Sequence, residues 1–140
     1  MITRLSHVSL SVKDQDEAIR FYRDVLGMEL RGDRQVGPDY RWVTVGVKGQ
    51  TEVEIALNVT REIPGMESGA TARQTFVFAT DDCRKDVETL RSRGVVIALE
   101  PEQVPWGVQA VFQDLYGNSH VLVESPSREP AGEAVCGKAV

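Results

Sequence analysis

Polar and apolar positions alternate from residue 5 to residue 12. Val8, Leu10 and Val12 share one side of a predicted strand, and His7, Ser9 and Ser11 share the other. The period then lengthens. Asp14 with Glu17 makes a capping-box start, and Ala18, Phe21, Tyr22, Val25 and Leu26 recur at helical spacing. Gly27 suits a left-handed helix end. Beyond it, GDRQVGPDY reads as a loop or ragged hairpin, YRWVTVGV as a strand and KGQ as a turn. EVEIALNV is a strand in which Val53, Ile55 and Leu57 alternate with Glu52, Glu54 and Ala56.

The same plan then returns. Residues 74–80 alternate, a helix is expected from Asp82 to about residue 93, and Gly94 ends it. Strands follow near 95–99, 108–113 and 119–124, with DLYGN at 114–118 as a turn. His7 to Thr75 and Asp14 to Asp82 are offset by 68 positions, and Gly27 to Gly94 by 67. A fixed offset of this size marks a duplicated unit. The register predicts Val8, Leu10, Val53, Ile55, Phe76, Phe78, Val87 and Leu90 as buried between strands and helices. REIPGMESGATARQ is rich in Gly and Pro and reads as a linker. The expected organisation is one domain over 1–125, made of a unit at 1–60, a linker at 61–72 and a unit at 73–125. Residues 126–140 lack periodicity and are expected to be a disordered tail.

Composition narrows the function classes. The 140 residues carry a net charge of −5, and the 16 basic residues are dispersed, which argues against a nucleic-acid partner. No apolar run approaches a membrane span, and the alternating N-terminus lacks the apolar stretch of a signal peptide. No membrane partner and a cytoplasmic location are therefore expected. Cys83 and Cys136 have no disulfide or metal-thiolate spacing and read as a small apolar side chain and a stray thiol. No nucleophile elbow, phosphate loop or dinucleotide fingerprint is present.

HVSLSVKD…AIRFYRDVLGMEL at the front and FQDLYGNSHVLVE at the back resemble the vicinal oxygen chelate superfamily over residues 1–125. That superfamily holds glyoxalase I, extradiol dioxygenases, fosfomycin-resistance enzymes and bleomycin-type drug-binding resistance proteins. The resemblance implies an α+β fold of tandem βαβββ units, with a curved mixed-sheet cup and helices on its convex face. It also implies a homodimer. In metal-using members each unit supplies one ligand from its first strand and one from its last. The pattern falls on His7 and Glu54 in the first unit, a donor pair that suits a divalent first-row metal. In the second unit it falls on Thr75 and Val121, which departs from the family. His120 and Glu124 are chemically suitable, but strand parity sends them to the opposite face.

The preferred reading is a protein that binds a small organic molecule and uses no cofactor. Its ligand-binding residues are His7, Ser9, Trp42, Glu54, Thr75, Trp106 and Val121, with the two tryptophans as stacking surfaces. Tyr40 and Arg41 lie near the start of a wall strand and fit either packing or binding. The alternative is a metal-dependent lyase, isomerase or dioxygenase acting on a vicinal-oxygen substrate. It would hold a divalent metal such as Zn, Ni, Mn or Fe on His7 and Glu54. A metal-free enzyme with His7 or Glu54 as general base is a third class. No catalytic residue is assigned.

Overall fold

The alternation around HVSLSV becomes strand β1 (His7–Val12), whose Leu10 and Val12 are fully buried. Asp14 caps the helix that follows: its carboxylate accepts the Glu17 N–H at 3.1 Å, satisfying a donor that the first turn leaves open. Helix α1 (Gln15–Ile19) runs directly into a π-helical stretch, Arg20–Val25, closed by Leu26 N–H donating to Phe21 C=O. The apolar spacing predicts a regular α-helix here, and the extra residue in the wide turn is the difference. Ala18, Ile19 and Tyr22 reach the core, while Phe21, Val25 and Leu26 are half-buried. Gly27, at φ +79°, ends the helix in the left-handed region, as its position in the sequence implies.

This is a computed structural model describing residues 1–59 and 74–125. The predicted linker, the predicted tail and Cys136 lie outside the described residues. The chain divides into two units, Met1–Gln74 and Thr75–Val140.

In the first unit, β2 (Glu29–Gln35), β3 (Arg41–Gly46) and β4 (Glu54–Val59) complete a mixed sheet of order β1-β4-β3-β2, with β1 parallel to β4. Residues 32–40 are part of a real hairpin, irregular between Leu30 and Gly32, where a bulge inserts Arg31. Val53 precedes β4 and is only half-buried. Strand β1 is an edge, and the Gln74 amide covers part of it by accepting from Ser11 N–H and donating to Ser9 C=O.

The second unit repeats the order. Strands β5 (Val77–Ala79), β6 (Ile97–Val104), β7 (Gly107–Gln113) and β8 (Ser119–Glu124) form a sheet of order β5-β8-β7-β6, with β5 parallel to β8. Helix α2 (Cys83–Ser92) starts at Asp82, which accepts the Lys85 N–H, and turns off at Gly94, φ +85°. Strand β6 runs five residues beyond its expected end at residue 99. It lies at the sheet edge, where Pro101 removes no ladder bond that the sheet needs. Each unit is thus a βαβββ module of the α+β class. Among the described residues no helix is long and apolar enough to cross a membrane.

Candidate functional site

Paired residues on neighbouring strands project from the same face, so the register defines the open surface of the first sheet. His7 stands opposite Glu54, Ser9 opposite Ala56 and Ser11 opposite Asn58, and Thr44 is paired with Ala56 on the other side of β4. This is the face left over once Leu10, Val12, Val43, Val45, Ile55 and Leu57 have turned inward.

Rings and polar side chains dominate it. The His7 and Trp42 rings meet edge-on at 5.4 Å between centroids, and Tyr40 lies 6.4 Å from Trp42. Tyr40 Oη donates to Asn58 Oδ1 at 3.0 Å, and Asn58 Nδ2 donates to Ser9 Oγ at 2.7 Å, a polar chain running across three strands. His7 Nε2 lies 3.7 Å from Glu54 Oε1, an ion-pair distance, and His7 Nδ1 lies 3.0 Å from Ser6 Oγ. The side chains of His7 and Glu54 are 39% and 28% exposed, so solvent and ligands reach both.

Arg31, which strand patterning does not single out, completes the cluster. Its Nε and Nη2 donate to Glu29 Oε1 at 3.2 and 3.1 Å, and Nη2 also donates to Val47 C=O at 2.9 Å. Its Nη1 reaches to 3.9 Å from Glu54 Oε2. Gly46 makes this pose possible, because a Cβ there would fall 2.5 Å from Arg31 Nη1. Arg31 falls just before the stretch that reads as a loop, and as an unpaired bulge residue it carries no alternation signal. Asn58, the hub of the polar chain, was likewise absent from the sequence-derived set, although its parity with Glu54 pointed to it.

Two further Trp42 and Glu54 features bear on binding. Among the described residues Glu54 accepts no hydrogen bond, and the Trp42 indole N–H has no acceptor while remaining open to solvent. Each is an unused polar atom aimed away from the core.

The corresponding residues of the second unit differ in kind. Thr75 is exposed and Val121 is half-buried, but Val121 is paired with Val77 rather than with Thr75. Trp106 sits in the β6–β7 turn, 48% exposed, donating from Nε1 to Gln109 Oε1 at 2.9 Å. His120 and Glu124 do point to the other face. His120 is fully buried, stacked on Phe76 with 5.1 Å between centroids and accepting the Phe76 N–H at Nδ1. Glu124 accepts the Cys83 N–H at 2.7 Å at the start of α2. Burial first, then the Glu124 carboxylate nearby, pushes the Cys83 thiol up, so it is held as an inert neutral group.

Paired βαβββ modules with a polar open face define a class of small-molecule sites that hosts both binders and metalloenzymes. Residues 4–124 match the glyoxalase/bleomycin resistance protein/dioxygenase superfamily, and the chain belongs to it. Among solved structures it is similar to UcmS2, at 38% identity and a TM-score of 0.77, covering 88% of this chain and 98% of that one. It is also similar to TnmS3, an antibiotic binding protein from Streptomyces sp. CB03234, at 34% identity and a TM-score of 0.74, over 89% and 97% of the two chains. A lactoylglutathione lyase of Haemophilus influenzae is 30% identical over 89% of this chain and 94% of its own length.

Among the described residues the side chains do not fit the divalent metal that the superfamily implies. Structural and catalytic sites use three or four protein ligands. Among the described residues no group of three or more His, Cys, Asp or Glu side chains is placed to hold a metal ion. Among the described residues the His7–Glu54 pair has the Arg31 guanidinium, a cation, as its charged neighbour.

Proposed function

We propose that the protein binds a small, planar organic molecule on the open face of its first unit, without a metal. The observation that carries this is the solvent-reached His7–Trp42–Tyr40 ring cluster, set beside an unused acceptor on Glu54 and an unused donor on Trp42. Rings offer stacking area at low conformational cost, and a few fixed polar atoms orient the ligand. Ser9 and Asn58 join that face through their mutual hydrogen bond. The similarity to an antibiotic binding protein supports the reading.

Titration with a panel of planar polycyclic drugs tests it, using Trp106→Phe so that Trp42 alone reports by fluorescence. Saturable quenching is expected for some members. Trp42→Ala, read by calorimetry, should weaken that binding at least about tenfold, the effect of losing one stacked anchor. A panel with no binder, or a Trp42→Ala variant that binds as well, overturns the proposal.

A second reading is a metal-dependent lyase or isomerase. It is favoured by the direct opposition of His7 and Glu54 and by the lactoylglutathione lyase relative. Elemental analysis after purification without chelator separates the two: a stoichiometric metal lost on His7→Ala supports this second reading. The proposal includes a homodimer, supported by the exposed Val77 and Trp106. Sedimentation at the mass of one chain would exclude it.

A further inference from the structure

The Glu54 carboxylate has its own cation. We propose that Arg31 is the residue that sets what this site accepts: its fixed guanidinium excludes metal ions from His7 and Glu54 and leaves Glu54 to recognise uncharged hydroxyl or N–H donors. This deepens the proposed function and rests on its placing of the ligand at this face.

Three observations support it. First, Arg31 is anchored rather than free. Glu29 holds it through Nε and Nη2, Val47 C=O takes a second bond, and the side chain is only 17% exposed. A guanidinium held this way presents a fixed fork of donors and a cation at a fixed place. Second, a place is reserved for it. Gly46, buried at the end of β3, is the residue across from Glu29, and any side chain there would strike Nη1 and Cζ at 2.5 and 2.6 Å. Third, its remaining nitrogen faces Glu54 at 3.9 Å, while His7 faces the other oxygen at 3.7 Å. Those gaps are too long for hydrogen bonds, so the carboxylate has a cation beside it and oxygens still open to donors.

A divalent ion coordinated by Glu54 would sit within a few ångströms of Nη1. Like-charge repulsion at that distance is worth about a tenfold loss of affinity or more, even with solvent screening. A ligand hydroxyl meets no such penalty, and it finds an acceptor that costs nothing to free.

The test uses the full chain and cobalt(II) alone, followed by paramagnetic broadening of the two histidine ring signals. In the wild type, broadening at His7 should require at least about tenfold more cobalt than in Arg31→Met or Arg31→Gln. Arg31→Lys, which keeps the charge, should behave as wild type, and Arg31→Met with Glu54→Gln should return to wild-type behaviour. The glutamine variant can still bond to Glu29 and Val47, so it guards against a folding failure in the methionine one. Wild-type response in both neutral variants overturns the proposal, as does a lysine variant as permissive as the methionine one. Tight cobalt binding at His7 in the wild type overturns it too. Failure of the drug panel alone overturns the ligand reading and leaves the cobalt result standing.

Discussion

The two units share a skeleton and differ on one surface. Both have the same strand order, the same parallel pairing of first and last strands, an aspartate cap on the helix and a left-handed glycine after it. On the open face the first unit shows His7, Ser9, Glu54, Asn58 and Trp42. The second shows Val77, Ala79, Val111, Val121 and Val123 together with Gln109, Gln113 and Ser119, with no ring and no ionisable group among them. Residues that cap, turn or fill the core are tied to the fold by geometry. Residues on the open face carry no such duty, so the copies diverge there. Inside, the contrast reverses: the polar group belongs to the second unit, where His120 lies among Phe76, Phe78 and Phe112.

The strongest way to break this symmetry is at the turn. Asp114, whose side chain is fully buried, accepts from Tyr116 N–H, Asn118 N–H and Asn118 Nδ2 at 2.8 to 2.9 Å. Asp114→Ala strands those donors and should cost about 3 kcal/mol. In urea unfolding, Trp106 fluorescence in a Trp42→Phe background should shift to lower denaturant more than Trp42 fluorescence in a Trp106→Phe background. Equal shifts would show that the units unfold as one.

A subtler test asks whether sequence alignment or strand register governs the lost donor pair. Alignment matches His7 with Thr75, but Val77 is the residue facing Val121. Val77→His with Val121→Glu should bind cobalt about tenfold more tightly than Thr75→His with Val121→Glu. In the latter the donors are staggered by two residues, about 6.6 Å along the strand. The reverse order of affinities would mean that alignment predicts the pair better than register.

The smallest expected effect is on pH. Arg41 forks onto Asp33 at 2.8 Å through two nitrogens and reaches Asp16 at 2.9 Å, while in the second unit Arg91 forks onto Glu100 and reaches Glu88 at 3.4 Å. The hydrogen bonds from Arg41 hold the Asp33 carboxyl below the usual carboxylate range. A depressed folded value means the tie stabilises above the unfolded pKa, near 4, and is lost as pH falls through the folded one. Asp33→Asn should remove about 0.5 kcal/mol at neutral pH and nothing at pH 2, measured by urea midpoints in low salt.

Most of the skeleton was legible because each signal in it is local. Asp14 and Asp82 announce helix starts, Gly27 and Gly94 announce ends, and period-two runs mark the strands that became β1, β4 and β8. Parity alone sent His120 and Glu124 to the inner face. The π-helical turn and the long β6 were not legible, since the apolar spacing over 18–26 fits an ordinary helix and the extra length of β6 comes from pairing with β7. In the site, His7, Glu54 and Trp42 follow from alternation. Arg31 does not, because a bulge breaks the alternation where that residue stands.

Gly46 gives the first unit a constraint on its own history. Alanine at that position puts a methyl where the Arg31 guanidinium lies. The two positions are therefore not independent letters in the text of the protein. A lineage that drops the arginine can later accept almost any small residue at 46, but one that changes Gly46 first must unseat a bound side chain. The order of two substitutions is set by one van der Waals contact.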